Sequence, residues 1–143
     1  MAHLLGAEGL HLEFPTKTVF DSVSLGINDG DRIGIVGRNG DGKSTLLALL
    51  SGRLTPDAGR VTIRNGVTIG SLAQDDVFAE DATVRSSVLG DVADHVWASD
   101  ARTRDILSGL LSEVELDDLV SGLSGGQRRR VALAQLLIGD WDV

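Results

Sequence analysis

The sequence has 143 residues, the size of one ordinary domain, and a formal net charge of −8. This acidic balance argues against direct nucleic-acid binding, because phosphate neutralisation needs clustered basic residues, and only Arg128 to Arg130 form a basic run. The absence of cysteine excludes disulfides and thiolate metal sites. No apolar run reaches the length of a membrane span, so a soluble, cytoplasmic chain is expected.

The N-terminal part is predicted to form a β-meander over residues 9–27. Apolar residues alternate up to Phe14, a turn is expected at residues 15–17, and a second apolar run follows up to a strong turn signal at residues 28–31. Phe14 and Phe20 are two of only three phenylalanines. Two interpretations of Phe14 remain open: strand core, or a flat face that stacks on a purine.

Residues 37–45 read Gly-Arg-Asn-Gly-Asp-Gly-Lys-Ser-Thr, which fits the phosphate-loop pattern. The glycines allow backbone N–H groups to turn inward toward phosphates, Lys43 supplies a positive charge, and Ser44 supplies a hydroxyl ligand for Mg²⁺. The flanks agree with this interpretation. An apolar run at residues 31–36 predicts a strand buried in a parallel sheet, and residues 46–50 predict a helix that ends at Ser51.

After a turn predicted at residues 55–59, two β runs at 61–63 and 67–69 are expected to form a hairpin around residues 64–66. The second run is expected to continue to Gln74. A glutamine at a strand end can reach a metal or a water through its amide oxygen. It is equally consistent with a simple polar strand end.

From residue 75 to 121 the composition becomes helical and acidic. One helix is predicted to be capped by Asp81 or Thr83 and to run through Leu89, and a second is predicted to begin near Asp100. The acidic residues between the helices are interpreted as a solvated face and the histidines as having no ligand spacing. These residues are Glu113, Glu115, Asp117 and Asp118, and His3, His11 and His95.

Leu123 to Ala134 begin with Leu-Ser-Gly-Gly-Gln and are predicted to start a long helix. Ser124 can cap it, while Gly125 and Gly126 leave backbone N–H groups open at its positive end. The chain therefore contains a second candidate anion-binding helix terminus.

The phosphate loop, the glutamine at 74, the helical insertion and Leu-Ser-Gly-Gly-Gln together resemble the nucleotide-binding domain of ATP-binding cassette (ABC) proteins. The amino-acid sequence around the motifs is most similar to that of the ABC-F subfamily. The resemblance implies an α/β P-loop NTPase fold of ABC type, with an antiparallel β subdomain, a partial parallel core sheet and a helical subdomain. The expected parts are a β-rich core at 1–74, a helical subdomain at 75–121, and the signature motif with its helix at 122–143.

The resemblance also implies ATP and Mg²⁺ as ligands, with Phe14 at the adenine-stacking position and Gln74 beside the metal. A second nucleotide-binding domain would close across the ATP, in a parent protein that acts on the ribosome or on membrane domains. The residues implied to hold the phosphates and Mg²⁺ are Gly37, Asn39, Gly40, Gly42, Lys43, Ser44 and Thr45. Those implied to contact ATP held by the opposite domain are Ser124, Gly125, Gly126 and Gln127.

Three features depart from the family pattern. Asp41 replaces a small residue inside the loop, and a carboxylate near phosphates is expected to weaken ATP binding by repulsion unless it points to solvent or pairs with a cation. The insertion between Gln74 and Leu123 is short, and the chain ends at Val143 before the Walker B aspartate and catalytic glutamate. The piece is therefore expected to bind nucleotide weakly or incompletely, without turnover, and to leave the strand at 31–36 with an unpaired edge. A transporter ATPase subunit and a non-hydrolysing interaction module are the alternatives.

Overall fold

A computed structural model describes residues 2–143 and divides them into two compact units. The first contains the chain up to Ile69 together with Trp141–Val143, and the second contains Gly70–Asp140. Across the described residues, no helix is both long enough and apolar enough to cross a membrane.

The first unit contains a three-stranded antiparallel sheet. Its strands are β1 (His3–Phe14), β2 (Lys17–Asn28) and β3 (Ala58–Ile63), in the order β2-β1-β3. The predicted β-meander and its turn before Lys17 are confirmed. The turn after β2 is also confirmed, because the N–H of Asp31 donates to the carbonyl oxygen of Asn28 at 3.1 Å.

The apolar residues of β1 change phase at Gly9. Leu5 and Ala7 are buried before it, and Leu10 and Leu12 are buried after it. Strict alternation would place these two pairs on opposite faces. The strand pairing is irregular between Ala7 and Leu10, where Gly9 adopts a positive φ of 57°. A bulge at Gly9 therefore returns the second pair to the core.

Helix α1 (Lys43–Leu50) covers this core. Its buried residues Leu46, Leu49 and Leu50 share one hydrophobic cluster with the buried residues of β1. The helix has its C-cap at Ser51, as the sequence predicts. Its apolar residues therefore pack against the sheet. The phosphate loop leads into the helix, and its last residues form the first helical turn.

Two strand predictions in the first unit are wrong. Residues 31–36 form no strand, and Ile33 and Val36 are 57% and 94% exposed. A strand needs a neighbour to receive its backbone hydrogen bonds, and the described strands pair only antiparallel with one another. The predicted parallel part of the sheet is therefore not formed by the described residues.

The predicted hairpin at residues 61–69 is also corrected. The turn exists, since the N–H of Val67 donates to the carbonyl oxygen of Arg64 at 3.1 Å. However, residues 67–69 form no strand, and β3 pairs with β1 instead. Backbone groups of β3 are thus satisfied by a distant strand, and Gln74 follows an irregular segment rather than a strand.

The second unit is helical. Its helices are α2 (Val84–Val88), α3 (Asp94–Ser99), α4 (Ala101–Leu110) and α5 (Gly125–Ile138), with a 3₁₀ turn at Val120–Gly122. The sequence predicts α2 with Asp81 or Thr83 as its cap, a helix that begins near Asp100, and α5 with Ser124 as its cap, but it does not predict α3. The structure places the caps at Thr83, Asp100 and Ser124. The core of this unit consists of Val84, Val88, Leu89, Leu111, Val114, Val120, Val131 and Ala134.

Arg85 links α2 to two acidic residues. Its guanidinium donates to Asp94 at the start of α3 and, at 3.3 Å, to Oδ1 of Asp117. These hydrogen bonds, first that to Asp94, raise the pKa of Arg85 above its ordinary value. The pKa of Asp94 is lowered, first because the indole N–H of Trp97 donates to it and then because Arg85 does. The acidic group around residue 117 is exposed, as expected of a solvated face.

Candidate nucleotide-binding site

The phosphate loop turns through two glycines with left-handed backbone. Gly40 has φ 88° and Gly42 has φ 95°. Gly42 is also the N-cap of α1, and a Cβ built on it would lie 2.5 Å from Cγ1 of Val19. A side chain at this position is excluded both by the backbone conformation and by the packing of β2. Glycine at position 42 is therefore required by the fold of the loop itself.

Both lysines of the sequence contact this loop. The ammonium of Lys43 donates to the carbonyl oxygens of Gly37 and Arg38, each at 2.8 Å. Lys17, at the start of β2, donates to the carbonyl oxygen of Gly40 at 3.0 Å. An ammonium has three donors, so these two contacts of Lys43 leave one donor for an anion. The loop carbonyls hold the ammonium of Lys43 against the loop.

The start of α1 presents backbone donors. In the part of the chain that the structure describes, no side chain caps this helix at its N-cap residue. The first N–H groups of a helix have no partner within the helix and carry partial positive charge. Ser44 and Thr45 lie in this first turn, and Ser44 is exposed. The helix terminus, the ammonium and a hydroxyl therefore occur within three consecutive residues, the combination that binds a phosphate with its metal ion.

Asp41 bonds to the backbone of the same loop. The N–H of Arg38 donates to Oδ2 of Asp41 at 2.6 Å, and the N–H of Asp41 donates to the carbonyl oxygen of Arg38 at 3.2 Å. The carboxylate thus closes the turn between these two residues. The sequence predicts solvent or a cation as the environments that would relieve the charge of Asp41, and it does not predict this backbone contact.

Phe14 lies at the end of β1, opposite Lys17 in the hairpin register, and is 45% exposed. Phe20, in contrast, packs against the hydrophobic cluster of the first unit. The exposure of Phe14 leaves its ring available for stacking. The adenine-stacking role remains a prediction.

The signature segment begins α5 in the second unit. Ser124 Oγ accepts from the N–H of Gln127 at 3.2 Å, and Gln127 Oε1 accepts from the N–H of Ser124 at 2.9 Å. This reciprocal capping box occupies both side chains. A Cβ built on Gly125 or Gly126 would meet no atom within 4 Å. The open approach to this terminus is therefore toward the two glycines, with their backbone N–H groups.

Gln74 is exposed in the second unit, and its neighbours are bonded to α5. Arg129 donates to the carbonyl oxygen of Ala73 and, at 2.8 Å, to Oδ1 of Asp76, whose side chain is 14% exposed. The segment around Gln74 is thereby tied to the helix that follows the signature motif. Sequence reasoning missed Arg129 and Asp76; the only signal was one aspartate shortly after the glutamine and one arginine after the signature.

The predicted site residues divide between the two units. Phe14 and residues 37–45, which include Asp41, belong to the first unit, and Lys17 is an additional member that bonds to the loop. Gln74 and residues 124–127 belong to the second. Residues 37–45 and residues 124–127 each form hydrogen bonds among themselves. Within the described residues, no cluster of histidine, aspartate and glutamate is arranged to hold a metal ion.

Comparison with known proteins shows the family to which the chain belongs. Residues 20–143 match the ABC transporter family. The chain therefore belongs to that family and constitutes a nucleotide-binding domain of the ABC type. A solved ATP-binding subunit of an ABC transporter covers 94% of this chain and 62% of its own length, with a TM-score of 0.77 and 20% identity, which supports the fold. The predicted ABC-type fold class is confirmed.

The names of two curated relatives describe different functions. The energy-dependent translational throttle protein EttA of Mycobacterium tuberculosis is 32% identical over 164 residues, covering 89% of this chain and 29% of that protein. The aliphatic sulfonates import ATP-binding protein SsuB of Burkholderia ambifaria is 40% identical over 138 residues, covering 91% and 41%. The chain thus spans less than half the length of either relative.

Proposed function

We propose that this chain is the ATP-binding portion of an ABC ATPase and that residues 37–45 hold the phosphates of ATP with Mg²⁺. The contacts of Lys43 carry the proposal, because they place an ammonium with a remaining donor at the uncapped start of α1. Domains of this family bind ATP with Mg²⁺ in general. The charge and the helix terminus act on the same anion, which supports phosphate rather than a neutral ligand.

Each loop residue has a distinct role in this proposal. Lys43 and the first backbone N–H groups of α1 would bind the phosphates, and the hydroxyl of Ser44 would supply one oxygen ligand to Mg²⁺. Mg²⁺, when bound, neutralises phosphate charge and so favours binding of the polyanion by an acidic protein. The exposed ring of Phe14 would stack on adenine.

Calorimetric titration with MgATP tests the proposal. Lys43→Ala removes a charge-assisted contact, which is about 1.5 to 3 kcal/mol, so affinity should fall about 10- to 100-fold. Arg104→Ala serves as the control, because it removes the same charge from α4 in the second unit. Equal affinity of the wild type and Lys43→Ala, or no binding by the wild type, would contradict the proposal.

We also propose that a second nucleotide-binding domain closes on the ATP and receives the N-terminus of α5. The support is the open approach to Gly125 and Gly126. Gly126→Asp provides a clean test, since an acidic side chain in the first turn favours the helix but repels phosphate. It should abolish MgATP-dependent dimerisation in analytical ultracentrifugation while leaving ATP binding at residues 37–45 intact. A dimer that forms equally well in Gly126→Asp would refute this role.

The parent's role has two candidates. Similarity to EttA over 89% of the chain and the wording of the motifs favour an ABC-F-like ATPase that acts on translation. The higher identity to SsuB favours the ATP-binding subunit of a transporter. Fractionation of cell extract with an antibody to this chain separates the two. Sedimentation with ribosomes that depends on ATP supports the first, whereas sedimentation with membranes supports the second.

A further inference from the structure

Asp41 is the one acidic residue within the phosphate loop. By charge alone it should repel a polyphosphate and weaken binding. The geometry points to the opposite role: we propose that Asp41 is a positioning residue that holds the loop in its phosphate-binding conformation, so that its removal weakens nucleotide binding. This inference rests on the proposed function of residues 37–45.

The carboxylate is directed at the backbone of the loop. Oδ2 accepts from the N–H of Arg38 at 2.6 Å, while the N–H of Asp41 donates back to the carbonyl oxygen of Arg38 at 3.2 Å. The same oxygen would lie only 3.1 Å from a Cβ at Gly37, so it lies close against that glycine. These contacts fix both backbone polar groups of Arg38, its N–H and its carbonyl oxygen, and close the turn that contains Gly40.

The turn closed by Asp41 also holds Lys43. The carbonyl oxygen of Arg38, which accepts from the N–H of Asp41, accepts from Nζ of Lys43 at 2.8 Å as well. If the turn opened, the ammonium would lose one of its two carbonyl contacts. Ordering a released turn again on binding costs conformational entropy of about 1 to 2 kcal/mol for each residue. Asp41 therefore keeps the lysine and the loop in one conformation before the ligand arrives.

The hydrogen bond also reduces the electrostatic cost of the carboxylate. A backbone N–H that donates to a carboxylate places positive partial charge against it. The oxygen that carries this bond is directed at Arg38 and Gly37. In addition, exposure of the site to water screens the repulsion between the carboxylate and the phosphates. A positioning role and charge repulsion thus predict opposite changes in MgATP affinity when Asp41 is replaced.

The test compares MgATP affinity among three variants by calorimetry. Asp41→Ala should bind about tenfold more weakly than the wild type, since it loses a hydrogen bond to a charged group. Asp41→Asn retains an acceptor oxygen and should bind within about threefold of the wild type. Asp105→Ala is the control: it removes the same charge from an exposed position of α4 and should leave affinity unchanged.

A second measurement uses the nucleotide-free chain. Asp41→Ala should increase the rate at which an amine-reactive reagent modifies Lys43, measured by mass spectrometry, while thermal unfolding stays within a few degrees of the wild type. Tighter binding by both Asp41→Ala and Asp41→Asn would show that repulsion dominates and would overturn the inference. Unchanged affinity in Asp41→Ala would overturn it as well. If the wild type bound no MgATP, the proposed function would fail; the modification rate of Lys43 would still decide whether Asp41 orders the loop.

Discussion

Replacing Ser124 with alanine removes one half of the capping box at the start of α5. The box consists of two hydrogen bonds, at 3.2 Å from the N–H of Gln127 and at 2.9 Å from the N–H of Ser124. Ser124→Ala abolishes only the first and leaves that N–H to water. Loss of such a cap costs about 1 kcal/mol. The cost falls on the second unit, because α5 contributes the fully buried Val131 to its core.

Urea unfolding followed by tryptophan fluorescence measures this cost. The sequence has two tryptophans, and Trp97 packs against the core of the second unit. A Trp141→Phe background makes the signal specific to that unit, since Trp141 belongs to the first. In this background, Ser124→Ala should lower the free energy of unfolding by about 1 kcal/mol at an unchanged m-value.

Ser108→Ala provides the matched control. Ser108 lies in α4 of the same unit and donates only to the carbonyl oxygen of Asp105 one turn earlier. Alanine is the better helix former, so this substitution should be neutral or slightly stabilising. If Ser124→Ala were as neutral as Ser108→Ala, the capping box would not stabilise α5 and the account of this helix terminus would be wrong.

Two further substitutions test the packing and the electrostatics. Leu49→Ala should destabilise the first unit by about 2 to 5 kcal/mol, because Leu49 is 1% exposed, whereas Leu47→Ala at a 52% exposed site should be nearly neutral. Chemical denaturation of both variants provides the comparison. The pKa of Asp94 is lowered from its ordinary 3.8, so its stabilising contribution is present above that pH and is lost as pH falls through the lower, folded-state pKa. Asp94→Asn should therefore reduce the loss of Trp97 signal in acid titration, and an identical acid transition would contradict this.

Features that depend on short-range hydrogen bonds could be predicted from the sequence. Ser124 caps α5 through a backbone group three residues away, so the pattern alone predicts this cap. For α2 the pattern leaves Asp81 and Thr83 open, and for α4 it predicts only a start near Asp100. The absence of a strand at residues 31–36 could not be predicted in the same way. A strand depends on a partner elsewhere, and apolar composition does not show whether the described chain supplies one.

The candidate site shows the same division. The glycine spacing and Lys43 identify the loop, because the backbone conformation itself requires glycine at 42. The contact from Lys17 depends on how the β1–β2 hairpin is placed, and that of Asp41 depends on a side-chain rotamer. Neither can be inferred from the charge of the residue, and for Asp41 the charge argument and the proposed positioning role predict opposite effects on nucleotide affinity.

Protection of the two lysines from chemical modification tests the central claim most directly. Lys43 and Lys17 are the only lysines in the sequence, so mass spectrometry can follow the acetylation of each one separately. If residues 37–45 bind the phosphates of ATP, saturating MgATP should slow acetylation of Lys43 at least tenfold, whereas adenosine, which lacks phosphates, should have no such effect. Acetylation of Lys43 at the same rate with and without MgATP would contradict the account.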